Sequence, residues 1–248
     1  MTLPPLIAHH GVLVYLTAAT EPTATRKSWT AFNAIARNGT NGTLVVSLGP
    51  DAPTSFKQVL GIDRESGNTS ILSSLSIPHL VLTTSANVCA GLGGDVTVEV
   101  AEPHALPARI LSFVASSKRS ILVVHIDVTE FTEDLNQCLE TLCSSETSTC
   151  FVGIMKETSL RQCSSPSPLF PVPKQSWLKR DGEYAINPSA FSPSLVYSFY
   201  LCNQTRRDTV TAFDDAAILA HGGYGCTQAH VVVRELAFRL GYVPKYGA

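Results

Sequence analysis

Gly49-Pro50-Asp51-Ala52-Pro53-Thr54-Ser55-Phe56-Lys57-Gln58-Val59-Leu60-Gly61-Ile62-Asp63 follows an apolar run, Thr43 to Leu48. The run reads as a buried strand. The chain then turns at Gly49-Pro50-Asp51 and enters a short helix starting near Pro53, where proline suits a first helical turn. A strand, a tight turn and a helix N-terminus leave backbone N–H groups pointing outward, which seats a nucleophile or a phosphate. Yet no Ser, Thr or Cys stands at the turn itself, where the residues are Asp51, Ala52 and Pro53. The nearest hydroxyls, Thr54 and Ser55, come just after it.

Strands and helices alternate on both sides of this stretch. Gly11 to Leu16 is a first strand. Ser28 caps a helix to Arg37, with Trp29, Phe32, Ile35 and Ala36 on one face and Asn38-Gly39 as its stop. After the turn, Gly67 to Ser76 reads as loop, His79 to Thr83 as a third strand and Asp95 to Val100 as a fourth. Pro103 to Ser116 has helical spacing through Leu106, Ile110, Phe113 and Val114. Ser120 to Ile126 is an unbroken buried strand, Glu133 to Leu142 a helix, and Thr149 to Met155 another strand. Four prolines and three serines make Ser164 to Pro173 a loop. Leu195 to Leu201 is a late strand. Thr209 caps a helix to Ala220 that stops at Gly222-Gly223, and Val231 to Leu240 is a terminal helix. Such alternation implies βαβ units. The expected fold is α/β, one α/β/α layer sandwich with a mainly parallel sheet, in a single domain over residues 1–248. Residues 1–11 are expected to be a loose terminus and 157–175 a Pro/Ser-rich loop.

Composition narrows the function classes. Charged residues are 15% of the chain, so the core is large or part of the surface is covered by a partner. A net charge of −2 argues against non-specific nucleic-acid binding. No apolar run reaches the length of a membrane span, and Met1 to Gly11 lacks the charged-then-apolar order of a secretory signal. The expectation is a cytoplasmic or similarly reducing location. Seven cysteines with irregular spacing and no CxxC pair fit that, and a zinc ribbon does not follow. Cys138, Cys143, Cys150 and Cys163 read as buried thiols. The glycosylation sequons at Asn38, Asn41, Asn68 and Asn203 read as ordinary loops.

Thr30 to Gly39, Gly42-Thr43-Leu44, and Gly49-Pro50 through Leu60-Gly61-Ile62-Asp63 together resemble the cofactor-independent phosphoglycerate mutases, especially their archaeal-type branch, in the alkaline phosphatase superfamily. Ser120 to Ile126 is similar to their strand leading to metal ligands. Ala220-His221-Gly222-Gly223-Tyr224-Gly225 is similar to their glycine-rich C-terminal signature. The inserted domain of the mutases has no counterpart, since the chain passes from Leu92-Gly93-Gly94 through one helix to the strand at Ser120. The resemblance implies a core that elsewhere holds two divalent metals and a phosphorylated serine. Its first metal aspartate falls on Thr17, and its nucleophile falls on Ala52. A histidine of the nucleophile motif falls on Phe56. The aspartate and histidine after the long strand fall on Glu130 and Asp134. An adjacent aspartate–histidine pair falls on Lys156 and Glu157. A further histidine falls within Ser164 to Ser167. The frame persists while nearly every chemical group is changed.

The remaining candidates carry competing readings. Glu130 and Asp134, spaced i, i+4, could share a helix face and bind one hard cation, with Glu157 as a further weak ligand, or could be a solvated acidic face. Thr54 and Ser55, just past the turn, could replace the missing serine in a register shifted by two or three, or cap the helix. Lys156 supplies only donors where a dication would sit; it could anchor a phosphate, or be a surface lysine. His125 lies inside a buried strand and reads as a satisfied core histidine, His221 suits a helix C-terminus, and His230 opens the last helix. The leading expectation is a phosphoglycerate-mutase-like pseudoenzyme with no cofactor, serving a protein partner as an interaction or assembly module. The alternative is a divergent metal-dependent phosphomutase or phosphohydrolase using manganese or zinc. On the leading reading, with the ligands gone, Phe56 is expected to fill the pocket and the proline-rich loop Ser164 to Pro173 to lie over it, the other reading of that loop being that Leu169, Phe170 and Val172 pack into their own domain.

Overall fold

Among the described residues, eight strands form one sheet. The computed structural model describes residues 8–17, 29–47, 52–62, 69–92, 94, 96–117, 119–144, 149–158, 179–180, 183–184, 191–204, 208–223 and 226–243. The strands of the sheet are β1 (His10–Thr17), β2 (Thr40–Ser47), β3 (His79–Thr83), β4 (Val98–Val100), β5 (Ser120–Asp127), β6 (Cys150–Glu157), β9 (Phe191–Leu201) and β10 (Cys226–Gln228), side by side in the order β10-β2-β9-β6-β1-β5-β3-β4. The two-residue strands β7 (Lys179–Arg180) and β8 (Glu183–Tyr184) pair with each other. β4, β3, β5, β1 and β6 run parallel, as do β10 and β2. β9 lies antiparallel to both of its neighbours, β2 and β6. The sheet is therefore mainly parallel, as the βαβ alternation implies.

Side-chain alternation in the central strands builds two cores. In β1, Leu13 and Tyr15 point to one face, and Val12, Val14 and Leu16 to the other. Both faces are buried, which is why these strands read as continuous apolar runs. The first face is covered by α2 (Ser55–Val59), α3 (Ile71–Ser74), α4 (Ala86–Gly91) and α8 (Val232–Arg239). The second is covered by α1 (Thr30–Asn38), α5 (Leu106–Ser116), α6 (Glu133–Ser144) and α7 (Asp215–His221). The result is the α/β/α sandwich. Helix α1 and α6 are tied together by the buried Asn136, whose Oδ1 accepts the Ala31 N–H at 3.0 Å.

Several expectations give way to local geometry. Gly67 to Ser76 is not all loop: Ser70 caps α3, its hydroxyl accepting the Leu72 N–H at 3.2 Å. Thr209 is exposed and caps nothing helical; α7 begins at Asp215, with the Asp214 carboxylate accepting the Ala217 N–H at 3.0 Å. Aspartate outcompetes threonine there because its charge also meets the positive end of the helix. The first eleven residues are not loose throughout: Ala8 is buried, its N–H donates to the Arg239 carbonyl at 3.1 Å, and β1 starts at His10. Glu157 is the last residue of β6, and 159–175 lies outside the described residues, as do Ser28, Tyr224, Cys163 and the loop at Leu169 and Phe170.

Asn38-Gly39 does stop α1. A Cβ on Gly39 would stand 2.5 Å from the carbonyl oxygens of both Ile35 and Phe199, so only glycine lets the chain pass from helix to β2 here. Gly153 plays a similar part in β6, where an added Cβ would lie 2.6 Å from Leu13 Cδ2 and 2.9 Å from Phe199 Cδ1. No helix among the described residues is long and apolar enough to cross a membrane.

Candidate functional site

In a parallel sheet the strand carboxyl ends share one rim, where ligands of α/β proteins generally bind. Here the ladder register brings Thr17 opposite Asp127 and Leu16 opposite Lys156, so β1, β5 and β6 end together. Glu157 follows Lys156, and α2 brings Phe56 onto the face above β1, while Gly49, Pro50 and Asp51 of the organising turn lie outside the described residues. The sequence candidates Thr17, Phe56, Lys156 and Glu157 are thus drawn to one region.

An aromatic plug occupies the upper part of the first face. Phe56, 5% exposed, packs edge-on against Tyr15 with ring centroids 4.9 Å apart, and tilts over His125 at 4.6 Å. Tyr15 and His125 stack at 5.7 Å. Their origin is simple: Tyr15 and His125 are register partners on adjacent strands, and Phe56 is carried down by the first turn of α2. His125 also pairs through Nδ1 with the Thr83 hydroxyl at 3.1 Å. Burial holds its imidazole below the ordinary 6.5, against the opposing pull of Asp127 and Glu130. It is a satisfied core histidine, as the sequence suggested.

The Tyr15 hydroxyl donates to Glu157 Oε1 at 2.7 Å. Burial above all, then the charge of Glu157 and this bond, hold the phenol far above its usual range; a hydrogen bond with Ser55 acts in the other direction. Ser55 and Glu157 are therefore engaged by the same phenol. Nothing in local sequence could reveal this contact, because 142 positions separate tyrosine and glutamate. The available signal was a tyrosine inside an otherwise aliphatic strand, since a buried phenol needs a partner.

Lys156 is not a surface lysine. It is 8% exposed, and its Nζ lies 2.6 Å from Asp215 Oδ1 at the start of α7. Both side chains are about nine-tenths buried, at 10% and 9% exposure. The ammonium belongs to the second face, following Val152 and Ile154, and it fixes the end of β6 against the N-terminus of α7.

The carboxylates after β5 do not form a shared helical pair. Glu130 ends a 3-10 turn, Val128–Glu130, and Asp134 lies in the first turn of α6, which begins at Glu133. Phe131 and Thr132 intervene outside helical geometry, so the i, i+4 rule does not apply. Glu130 Oε2 accepts the Thr84 hydroxyl at 2.5 Å, while Asp134 is exposed. Thr54 is the exposed N-cap of α2, its Oγ1 accepting the Lys57 N–H at 3.4 Å. Ala52 is half-buried and has no side-chain chemistry to offer.

A pair of divalent cations needs several converging oxygen or nitrogen ligands. Among the described residues the donor set does not fit one: Lys156 brings a positive charge, Ala52 offers no ligand, and Glu157 and Glu130 accept from Tyr15 and Thr84 without converging on a common point. Among the described residues no group of three His, Cys, Asp or Glu side chains is placed to hold a metal.

No protein-family model and no curated protein matches the sequence. Solved structures do. The PH0037 protein from Pyrococcus horikoshii superposes with a TM-score of 0.59 at 10% identity, covering 97% of this chain and 99% of that one. At that identity the likeness concerns the fold alone. The cofactor-independent phosphoglycerate mutase from Thermoplasma acidophilum DSM 1728 gives 0.42 at 13% identity, over 70% of this chain and 40% of the mutase. An alkaline phosphatase from the Antarctic bacterium TAB5 gives 0.45 at 9% identity, over 96% of this chain and all of that one, 100%. These two overlaps are too loose to bear on what this chain does.

Proposed function

We propose that this chain is a catalytically degenerate, phosphoglycerate-mutase-like member of the alkaline phosphatase superfamily, kept as a protein-interaction or assembly module. The observation that carries the reading is the buried Lys156–Asp215 pair at the end of β6. The sequence resemblance puts a metal ligand at Lys156, and an ammonium fixed there repels a dication rather than binding it. Phe56, aligned with a histidine of the nucleophile motif, supports the same reading by packing on Tyr15 and His125. Ala52 removes the nucleophile, and loss of a nucleophile alone can cost on the order of 10⁶ in turnover. Fold by itself does not transmit chemistry.

The experiment is to restore one group at a time. Ala52→Ser alone, in added manganese, is expected to show no mutase or phosphatase turnover, because the proposal leaves no metal site to ionise the serine. Clear turnover by that single variant would overturn the reading in favour of a divergent phosphomutase or phosphohydrolase. The interaction half is tested separately. Leu169 and Phe170 are replaced together by serine, and recovery of native partners is compared with that of the unaltered chain. Full recovery from an intact fold would move the interface away from this loop.

A further inference from the structure

Among the described residues the sheet ends at β4, a strand of three residues paired with β3 alone. Its leading end is fastened unlike the rest of the ladder. The Val81 N–H donates to the Thr97 carbonyl at 2.8 Å, and the Thr97 N–H in turn donates to Nε2 of His79 at 3.3 Å. The other ring nitrogen of His79, Nδ1, meets the Ile77 carbonyl at 2.6 Å. That peptide is held in place, since the Ile77 N–H donates to the Leu72 carbonyl at 3.0 Å and the Ile77 side chain is buried. The trailing end of β4 is closed by backbone alone, the Ala101 N–H donating to the Thr83 carbonyl at 2.9 Å.

These partners fix the state of the ring. A backbone carbonyl can only accept and a backbone N–H can only donate. Nδ1 therefore carries the proton and Nε2 the lone pair, which is one tautomer of the neutral imidazole. A second proton has only Nε2 to occupy. There it would set N–H against N–H across 3.3 Å, so the bond to Thr97 is lost while the bond to Ile77 is kept. His79 is half-buried and Thr97 exposed, so water can take up both released donors and the change stays local.

Few charges surround the ring among the described residues. Glu99 of β4 stands two residues past Thr97, but its carboxylate is engaged by Arg109 at 2.5 Å. Arg119 directly precedes β5, whose Ile121 is the register partner of His79, and the Tyr242 hydroxyl donates to the Arg119 carbonyl at 3.1 Å. Helices α3 and α4 carry no charged side chain, and Arg239 of α8 lies over the Phe151 ring. Histidine is the side chain that changes charge close to neutral pH, whereas the backbone bonds of the ladder do not titrate.

We propose that His79 is a proton-operated latch on the edge of the sheet: neutral, it fastens the leading end of β4, and protonated, it lets that end go. The Ala101–Thr83 closure is untouched, so β4 frays from Thr97 while the core stays shut.

The test is nitrogen NMR of the isotope-labelled full chain, titrated from about pH 8 to about pH 5, the span in which histidine changes charge. At the upper end the His79 ring should report the Nδ1–H tautomer, with a nitrogen–nitrogen coupling between Nε2 and the Thr97 amide across the hydrogen bond. As His79 takes up its second proton the coupling should vanish. The Thr97 amide, corrected for its intrinsic exchange rate, should then lose about two- to tenfold in protection, the weight of one such bond. Ala101 should keep its protection. His79→Gln, which does not titrate, should leave Thr97 insensitive to pH over the same span. The proposal is overturned by an Nε2–H tautomer at the upper end, by Thr97 protection that does not follow the His79 titration, or by an equal loss at Ala101. The native chain alone decides these three outcomes, even if the glutamine variant fails to fold.

Discussion

Lys156 and Asp215 are the pair whose removal should be felt most. Taking away one partner leaves the other charge buried and uncompensated, which typically costs about 3–5 kcal/mol. Lys156→Met is expected to destabilise the fold by that order in urea titration. Lys156→Met combined with Asp215→Leu should recover most of the loss, because two matched apolar groups need no compensation. Equal destabilisation by the single and double variants would mean that the pair is not what holds β6 to α7. His125 offers a second test. Its folded pKa lies below the ordinary 6.5 because burial disfavours the imidazolium. The unfolded chain then binds the proton more readily, so stability is fully present above about pH 6.5 and falls as the pH drops towards the folded value. Glu235 of α8 is solvent-exposed and acts weakly in the opposite sense: partial desolvation raises its carboxyl above 4.5, with Arg239 pulling it back, so its contribution is lost as pH rises. The informative quantity is therefore the difference between the native chain and His125→Gln. Below pH 6.5 the variant should lose less stability per pH unit than the native chain; parallel slopes would show that His125 is not the titrating group.

Helix α2 matters as an element because it is short and carries one large anchor. Five residues, Ser55–Val59, cannot sustain a helix by propensity alone, so packing of Phe56 and Val59 must hold it. Phe56→Ala should cost about 3–5 kcal/mol, the range for emptying a buried aromatic site. A loss under about 1 kcal/mol would show that the plug is loosely packed. The turn from α1 to β2 is equally strict. Gly39→Ala forces a methyl against two carbonyl oxygens at 2.5 Å and should destabilise by at least about 1–3 kcal/mol, measured by thermal melting. Elements of this size also mark where sequence reading fell short. The long buried runs β1, β5 and β6 and the amphipathic helices α1, α5 and α6 were legible because burial on one or both faces writes a clear period. Helices α3 and α4 and strand β10 are three to six residues long, too short for any period to show. The reversed direction of β9 was illegible as well, since strand sense leaves no mark in the strand itself. Lys156 was misread because its partner Asp215 is brought near only by the sheet, and the i, i+4 reading of Glu130 and Asp134 failed because their segment breaks before α6 begins.

At the scale of the whole molecule the terminal segment closes the first core. Val232, Val233, Leu236 and Leu240 of this segment are buried, each worth about 1.5–3 kcal/mol when fully removed from water. Leu236 packs so closely on β1 that a Cβ at Gly11 would stand 2.5 Å from its Cδ2. Truncation before Gly222 removes this layer together with edge strand β10, and should give insoluble or molten protein that binds a hydrophobic dye. A soluble product with a cooperative unfolding transition would place the core elsewhere. The same molecule-wide view frames the functional proposal: among the described residues the sandwich is complete, with an aromatic plug on one face and an internal ion pair at the end of β6. The most direct measurement is metal content together with phosphatase and mutase turnover of the purified full chain. The account predicts far less than one metal per chain and no turnover that differs between the native protein and Thr54→Ala. Stoichiometric manganese or zinc, with activity that Thr54→Ala abolishes, would contradict it.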